Sequence, residues 1–282
     1  MITSVPASVT IDWVAVGNAG NAADTTGYGA VAYAYQIGKY EVTNAQYGAF
    51  LNAAAKTDNY ALYNSNMSSL GISRSGSSGS YTYSVTTALA NRPVVYVSWF
   101  DAARMANWMV NGQGNGSTET GAYTLNGATS GVSFTKNAGA QVYIPTENEW
   151  YKAAYYNAAN TSYSLYPNGQ NTITTADANY NNSVGSTTNV GTYSSDPSSY
   201  GTFDQGGNVW EWNDAVTSSS RRGLRGSSFD SNGSNLRASS RDGTGPAGED
   251  NDLGFRVASV PEPTSLLLTM LAGGVMLARR KR

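Results

Sequence analysis

The chain is 282 residues long, carries 17 Lys and Arg against 19 Asp and Glu for a net charge of −2, and contains neither cysteine nor histidine. That inventory excludes disulfides, thiolate nucleophiles, sulfur ligands and imidazole chemistry. Proton transfer falls to Asp, Glu, Lys or Tyr, and metal binding to hard oxygens, which suit calcium best.

Hydrophobic residues at 40% are too many for a disordered chain, and 31 Gly and 20 Tyr, with Ser, Thr and Asn between the apolar runs, predict an ordered, loop-rich fold. Residues 11–14 read as a strand, and residues 35–40 as another. Thr43-Asn-Ala-Gln46 then forms a capping box ahead of Tyr47, Phe50, Leu51 and Ala54 at helical spacing. Residues 65–80 are rich in Ser and Gly and predict a surface insertion. A strand over 93–97 leads to a second helix that starts at Ser98, with Ala102, Met105, Ala106 and Met109 on its apolar face and Trp108 beside it. Gly-Asn-Gly and Asn-Gly within 111–139 are turn signals suited to hairpins. A strand over 141–144, Pro145 and the capping box Thr146-Glu-Asn-Glu149 open a third helix, with Trp150, Ala153 and Ala154 on one face. Beyond Tyr156 no helical pattern follows, and short strands with Asn-rich loops run to Phe255. No linker or repeat interrupts residues 1–259, which read as one domain.

Composition changes at Val260. Pro261-Glu262-Pro263 precedes an apolar run over 264–278 and the basic end Arg279, Arg280, Lys281 and Arg282. The body that remains is acidic and has no basic stripe for nucleic acid. As a helix the apolar run would span ~22 Å, short of the ~30 Å hydrocarbon core, so it predicts transient membrane contact. Motif, weak span and basic end in this order resemble the PEP-CTERM sorting tails of Gram-negative, exopolysaccharide-producing bacteria. The resemblance implies recognition of Pro261, Glu262 and Pro263 by an exosortase-type membrane protease. It also implies export through the inner membrane to the cell surface or extracellular matrix. The first basic residue is Lys39 and no apolar leader precedes it, so a signal peptide is expected upstream of the first residue given.

Four strings in the body occur in order. They are Tyr-Gln-Ile-Gly-Lys-Tyr-Glu-Val-Thr-Asn-Ala-Gln-Tyr (35–47), Arg-Pro-Val-Val-Tyr-Val-Ser-Trp (92–99), Ile-Pro-Thr-Glu-Asn-Glu-Trp (144–150) and Gly-Asn-Val-Trp-Glu-Trp (207–212). A fifth region runs from Leu224 to Arg256. Together they resemble the formylglycine-generating enzyme, or sulfatase-modifying factor, family. The resemblance implies an α+β fold that is compact, loop-rich and C-type-lectin-like, with few helices, short strands and structural calcium. It implies calcium at the side chains of Asp204 and Glu211 and the carbonyls of Gly207 and Val209. A second set would lie at Asn179, Tyr180, Asn182 and Val184. The loop from Asp177 begins like an EF-hand, but Asn182 and Thr188 stand where that motif needs Gly and Glu.

Formylglycine-generating oxidases bind copper through two cysteines after the Gly-Ser that Gly226-Ser227 matches. Residues 228–235 supply none, so neither copper nor haem is expected. Trp210, Ser227, Asp230, Arg237 and Arg241 remain as candidate pocket residues, with Asp242 beside them. A carboxylate pair there could act as acid and base, although Asp and Arg side by side more often form structural ion pairs. The sequence therefore predicts a non-catalytic, calcium-stabilised surface or matrix module for a glycan or protein ligand. The alternatives are an enzyme of the same class with cysteine-independent chemistry, and a structural surface-layer component.

Overall fold

In the computed structural model, which describes residues 8–260, four helices and twelve strands alternate with long loops. They are β1 (Trp13–Val16), β2 (Tyr35–Gly38), α1 (Asn44–Ala54), the single turn α2 (Met67–Leu70), β3 (Ile72–Ser75), β4 (Thr82–Val85), α3 (Trp99–Val110), β5 (Val142–Tyr143), α4 (Glu147–Tyr155), β6 (Tyr156–Asn157), β7 (Ser162–Tyr163), β8 (Trp210–Ser218), β9 (Arg221–Arg225), β10 (Asp242–Thr244), β11 (Leu253–Gly254) and β12 (Ala258–Ser259). The α+β class with few helices is as the sequence implies. The sorting motif, the apolar run and the basic end lie outside the described residues. Among the described residues no helix is long and apolar enough to cross a membrane.

Each of the three longer helices starts at a complete capping box. Thr43, Ser98 and Thr146 accept from the main chain of Gln46, Asp101 and Glu149, whose side chains bind back to the cap. Two orphan donors are thereby satisfied at each helix start. The expected faces are largely the buried ones: Tyr47, Phe50 and Leu51 on α1, Ala102, Met105 and Ala106 on α3, and Trp150, Ala153 and Ala154 on α4, while Ala54 and Met109 are only half-buried.

Two four-stranded sheets carry the fold. One has the order β1-β2-β12-β5, so that Ala258 faces Ile37 on one side and Tyr143 on the other. The other has the order β10-β9-β8-β11, antiparallel except where β11 runs parallel to β8. Between them packs an aromatic core in which Trp99 meets Tyr123 edge-on and Phe50 meets Trp108. The Trp212 indole donates to the Val97 carbonyl at 2.9 Å. The Trp212 indole is thus held by area and by a polar contact, whereas the Trp99 indole nitrogen is buried without a hydrogen-bond partner.

Buried arginines fasten the loops to this core. Arg104 stacks on Tyr60 at 4.1 Å and clamps Glu119 with two hydrogen bonds, at 2.8 and 3.1 Å. Arg222 stacks on Trp99 at 3.9 Å and donates to the carbonyls of Val132, Phe134 and Asp214. Planar guanidinium groups can do this because they stack and present several donors at fixed angles.

The structure departs from the sequence reading in three places. Residues 93–97 form no strand: only Pro93 bridges to Thr43, while Tyr96 adopts φ 58 and donates to Asp250. Residues 65–80, expected as a plain insertion, contribute α2 and, with the residues that follow, the β3–β4 hairpin. Residues 111–139 build no hairpin, only the bridge between Tyr123 and Lys136, since Asn107, Arg104 and Arg222 take their main-chain groups instead.

Candidate functional site

The turn 204–211 crosses the heart of the molecule, and its shape follows from residues that accept left-handed backbone. Asp204, Gly207 and Asn208 have φ of 59, 79 and 62. A Cβ at Gly207 would lie 2.1 Å from the Asn179 carbonyl, and one at Gly206 would lie 2.6 Å from Pro167. Glycine is required at both by close approach.

Asn208 is the hub. Its amide nitrogen donates to Glu41 Oε1 at 2.8 Å, and its Oδ1 accepts from the main chain of Thr188 at 2.9 Å and from Asn179 Nδ2 at 3.3 Å. Its own main chain donates to the Asn179 carbonyl at 2.8 Å. The two expected calcium sets therefore meet at one amide.

Glu211 is fully buried, as are Trp150 and Arg256 beside it. Arg256 donates from Nε to Glu211 Oε2 at 2.6 Å and from Nη2 to Oε1 at 2.7 Å, and the Trp150 indole donates to Oε2 at 2.8 Å. A carboxylate offers about four lone-pair directions, so three are used and one on Oε1 remains. The guanidinium also binds the carbonyls of Gly38 and Phe203, each at 2.9 Å. Burial opposes its charge, but Glu211, Glu41 and Asp204 hold its pKa above the usual arginine range.

Asp204 accepts from the main chain of Gly191 at 2.6 Å, and burial pushes its carboxyl up to about 6. Glu41, 2% exposed, is pushed well above the carboxylate range by burial and then by Asp204. Its Oε2 is buried without a hydrogen-bond partner, and so is Asn179 Oδ1. In the second expected set, Tyr180 is buried with its hydroxyl on the Ile173 carbonyl, while Asn182 is exposed and Val184 is 50% exposed. None of these four side chains is a carboxylate, which makes this a weak seat for a divalent ion.

The pocket candidates are dispersed. Ser227 has φ 72 and is fully buried, and its Oγ has no hydrogen-bond partner. Its neighbour Ser228 makes the polar contacts there. It donates to Asp230 at 2.7 Å and lies 3.0 Å from the Ser231 hydroxyl, with Asp252 nearby. Trp210, partly exposed, adjoins this group through its main-chain bond to Asp252. Arg237 binds the Tyr166 hydroxyl at 3.2 Å, and Arg241 grips Glu147 at 2.9 and 2.8 Å next to Arg225. Asp242 accepts from the main chain of Gly243. No hydrogen bond or ion pair among the described residues joins Asp230 to Arg237 or Arg241, so the expected carboxylate–arginine centre does not form.

Glu41, Arg256 and Ser228 are the residues of this neighbourhood that the sequence does not single out. Glu41 and Arg256 were visible only as members of the strings around 35–47 and 253–256. Nothing local announces that they share a site.

The domain model described as "Sulfatase-modifying factor enzyme 1-like domain" matches residues 14–260. The chain belongs to this family. Treponema denticola variable protein 1 is similar at 23% identity over 90% of this chain and 97% of its own, with a TM-score of 0.63. The crystal structure of CarF is similar at 23% identity over 90% of this chain and 99% of its own, also at 0.63. PvdO from Pseudomonas aeruginosa follows at 16% identity over 89% and 92%, with a TM-score of 0.50. At such identities the likeness establishes the fold. No curated protein matches the chain.

Proposed function

We propose that this sulfatase-modifying-factor-like domain is a non-catalytic, calcium-stabilised binding module, exported and displayed at the cell surface or in the matrix. One observation carries the non-catalytic part. The segment after Gly226-Ser227, where the oxidases of this family hold copper, contains a Ser228–Asp230–Ser231 hydrogen-bond group in a chain without a single cysteine or histidine. Oxygen donors of this kind are poor ligands for copper(I).

Calcium fits the turn 204–211 in part. Asp204 and the carbonyls of Gly207 and Val209 are hard oxygens on a tightly held loop, and the unpartnered Glu41 Oε2 and Asn179 Oδ1 adjoin it. Glu211 has one free lone-pair direction to give. Bound there, calcium would neutralise buried carboxylate charge and fasten the turn.

Trp210 and Tyr33, the latter 41% exposed, supply aromatic surface of the kind that sugar rings and peptides stack on. Trp99, Trp108, Trp150 and Trp212 are buried and serve the fold. Export, exosortase processing and a matrix glycan as ligand rest on the order of motif, apolar run and basic end over 260–282.

A glycan array probed with the purified domain, in calcium and again in chelator, tests the reading. Calcium-dependent binding to one glycan class is expected. Oxygen-consuming turnover of a Cys-Thr-Pro-Ser-Arg-type peptide would overturn it in favour of an enzyme, and ordered self-assembly without a saturable ligand in favour of a surface layer.

A further inference from the structure

Glu41, Asp204 and Glu211 lie within electrostatic reach of the single guanidinium of Arg256. The oxygens are unequally free. Glu211 is held on both oxygens by Arg256 and on one also by Trp150. Glu41 is held on Oε1 alone, by Asn208, while Oε2 is buried with no partner among the described residues. A buried carboxylate oxygen left bare is costly, and a cation is one of the few groups that removes the cost.

We infer that Glu41, rather than Glu211, is the carboxylate that this chain gives to calcium together with Asp204, and that Arg256 is the permanent counter-ion of Glu211. The inference rests on the calcium reading above. Among the described residues no three acidic side chains converge as a ready ligand set, so main-chain oxygens and water must complete the shell. A cavity of about 180 Å³, lined by Asp12, Tyr40, Glu41, Gln46 and Val257 among others, opens beside Glu41 and offers an ion a route from solvent.

The test uses the intact domain, stripped with EDTA and titrated with calcium by calorimetry, with Tm followed in parallel. Wild type is expected to bind calcium and gain Tm. Glu41→Gln keeps the size of the side chain and the bond from Asn208. It is expected to weaken calcium binding roughly tenfold or more, because the charge count of the ligand set sets affinity. In the stripped protein the same substitution is expected to leave Tm nearly unchanged, because the amide keeps the bond from Asn208, whereas a merely structural role would lower it. Wild-type calcium affinity in folded Glu41→Gln overturns the inference and leaves the calcium reading standing. No calcium binding by the wild type overturns both. Should Glu41→Gln fail to fold, Glu41→Asp, which keeps the charge and shortens its reach, decides in the same way: unchanged affinity overturns the inference.

Discussion

Arg256 illustrates how much one side chain holds in this fold. It neutralises Glu211 and ties together the carbonyls of Gly38 and Phe203, from segments otherwise far apart in the chain. Lysine at this position has no fork to bridge them. Arg256→Lys keeps the charge but leaves buried acceptors short of a donor, and is expected to lose about 1–3 kcal/mol, read from urea unfolding. Gly207→Ala is expected to be worse than its one added carbon suggests. The backbone is left-handed there and the Cβ would overlap the Asn179 carbonyl, so the variant should lose more than ~2 kcal/mol or fail to accumulate as soluble protein. The sequence made this turn legible because Gly-Gly-Asn and the two flanking tryptophans are a local signal. Glu41 and Asn208 are 167 positions apart, and Arg256 and Glu211 are 45 apart, so their contacts are set by packing that no local pattern encodes. The left-handed backbone at Ser227 is hidden for a related reason: φ is not written in the residue name.

Among the elements, the helix starts were the most legible, because a capping box is chemistry between residues three apart. Two of them should nevertheless differ in worth. Thr43→Ala removes a part-exposed cap and is expected to cost about 1 kcal/mol. Thr146→Ala is expected to cost more. The Glu149 carboxylate that it shares is fully buried and also accepts from Tyr33 at 2.9 Å and Tyr143 at 2.8 Å. Loss of the threonine hydroxyl leaves that carboxylate short of a donor at the junction of α4 with the first sheet. Comparison of the two midpoints in urea gives the order, and equal losses would refute it. The β3–β4 hairpin escaped the sequence reading because its strands, of four residues each, alternate polar residues on an exposed face. The run 93–97 misled in the opposite way. Its valines are buried as a strand's would be, but their main-chain groups bind separate loops and form no ladder.

At the scale of the whole molecule, burial has raised several carboxylates. Asp101 and Asp214 are both pushed up to about 7, chiefly by burial, from ordinary values near 3.8. Between those values the folded protein binds more protons than the unfolded chain, so its stability falls as pH rises. The advantage is complete below the unfolded pKa and gone above the folded one. A lower Tm at about pH 8 than at about pH 5.5 is therefore expected in scanning calorimetry, and the pH dependence should shrink in Asp101→Asn. Fold class was legible at this scale, since five ordered strings outweigh any ambiguity in single elements, whereas sheet order was not. That order has a further consequence. β12, the last strand of the described residues, sits between β2 and β5, so the first sheet has a gap until residue 259 is available. A ribosome or a translocation channel that still holds those residues keeps the domain open, and folding becomes a late, concerted event after release. Shortening the chain by a few residues before Val260 would therefore undo the N-terminal half as surely as the C-terminal one.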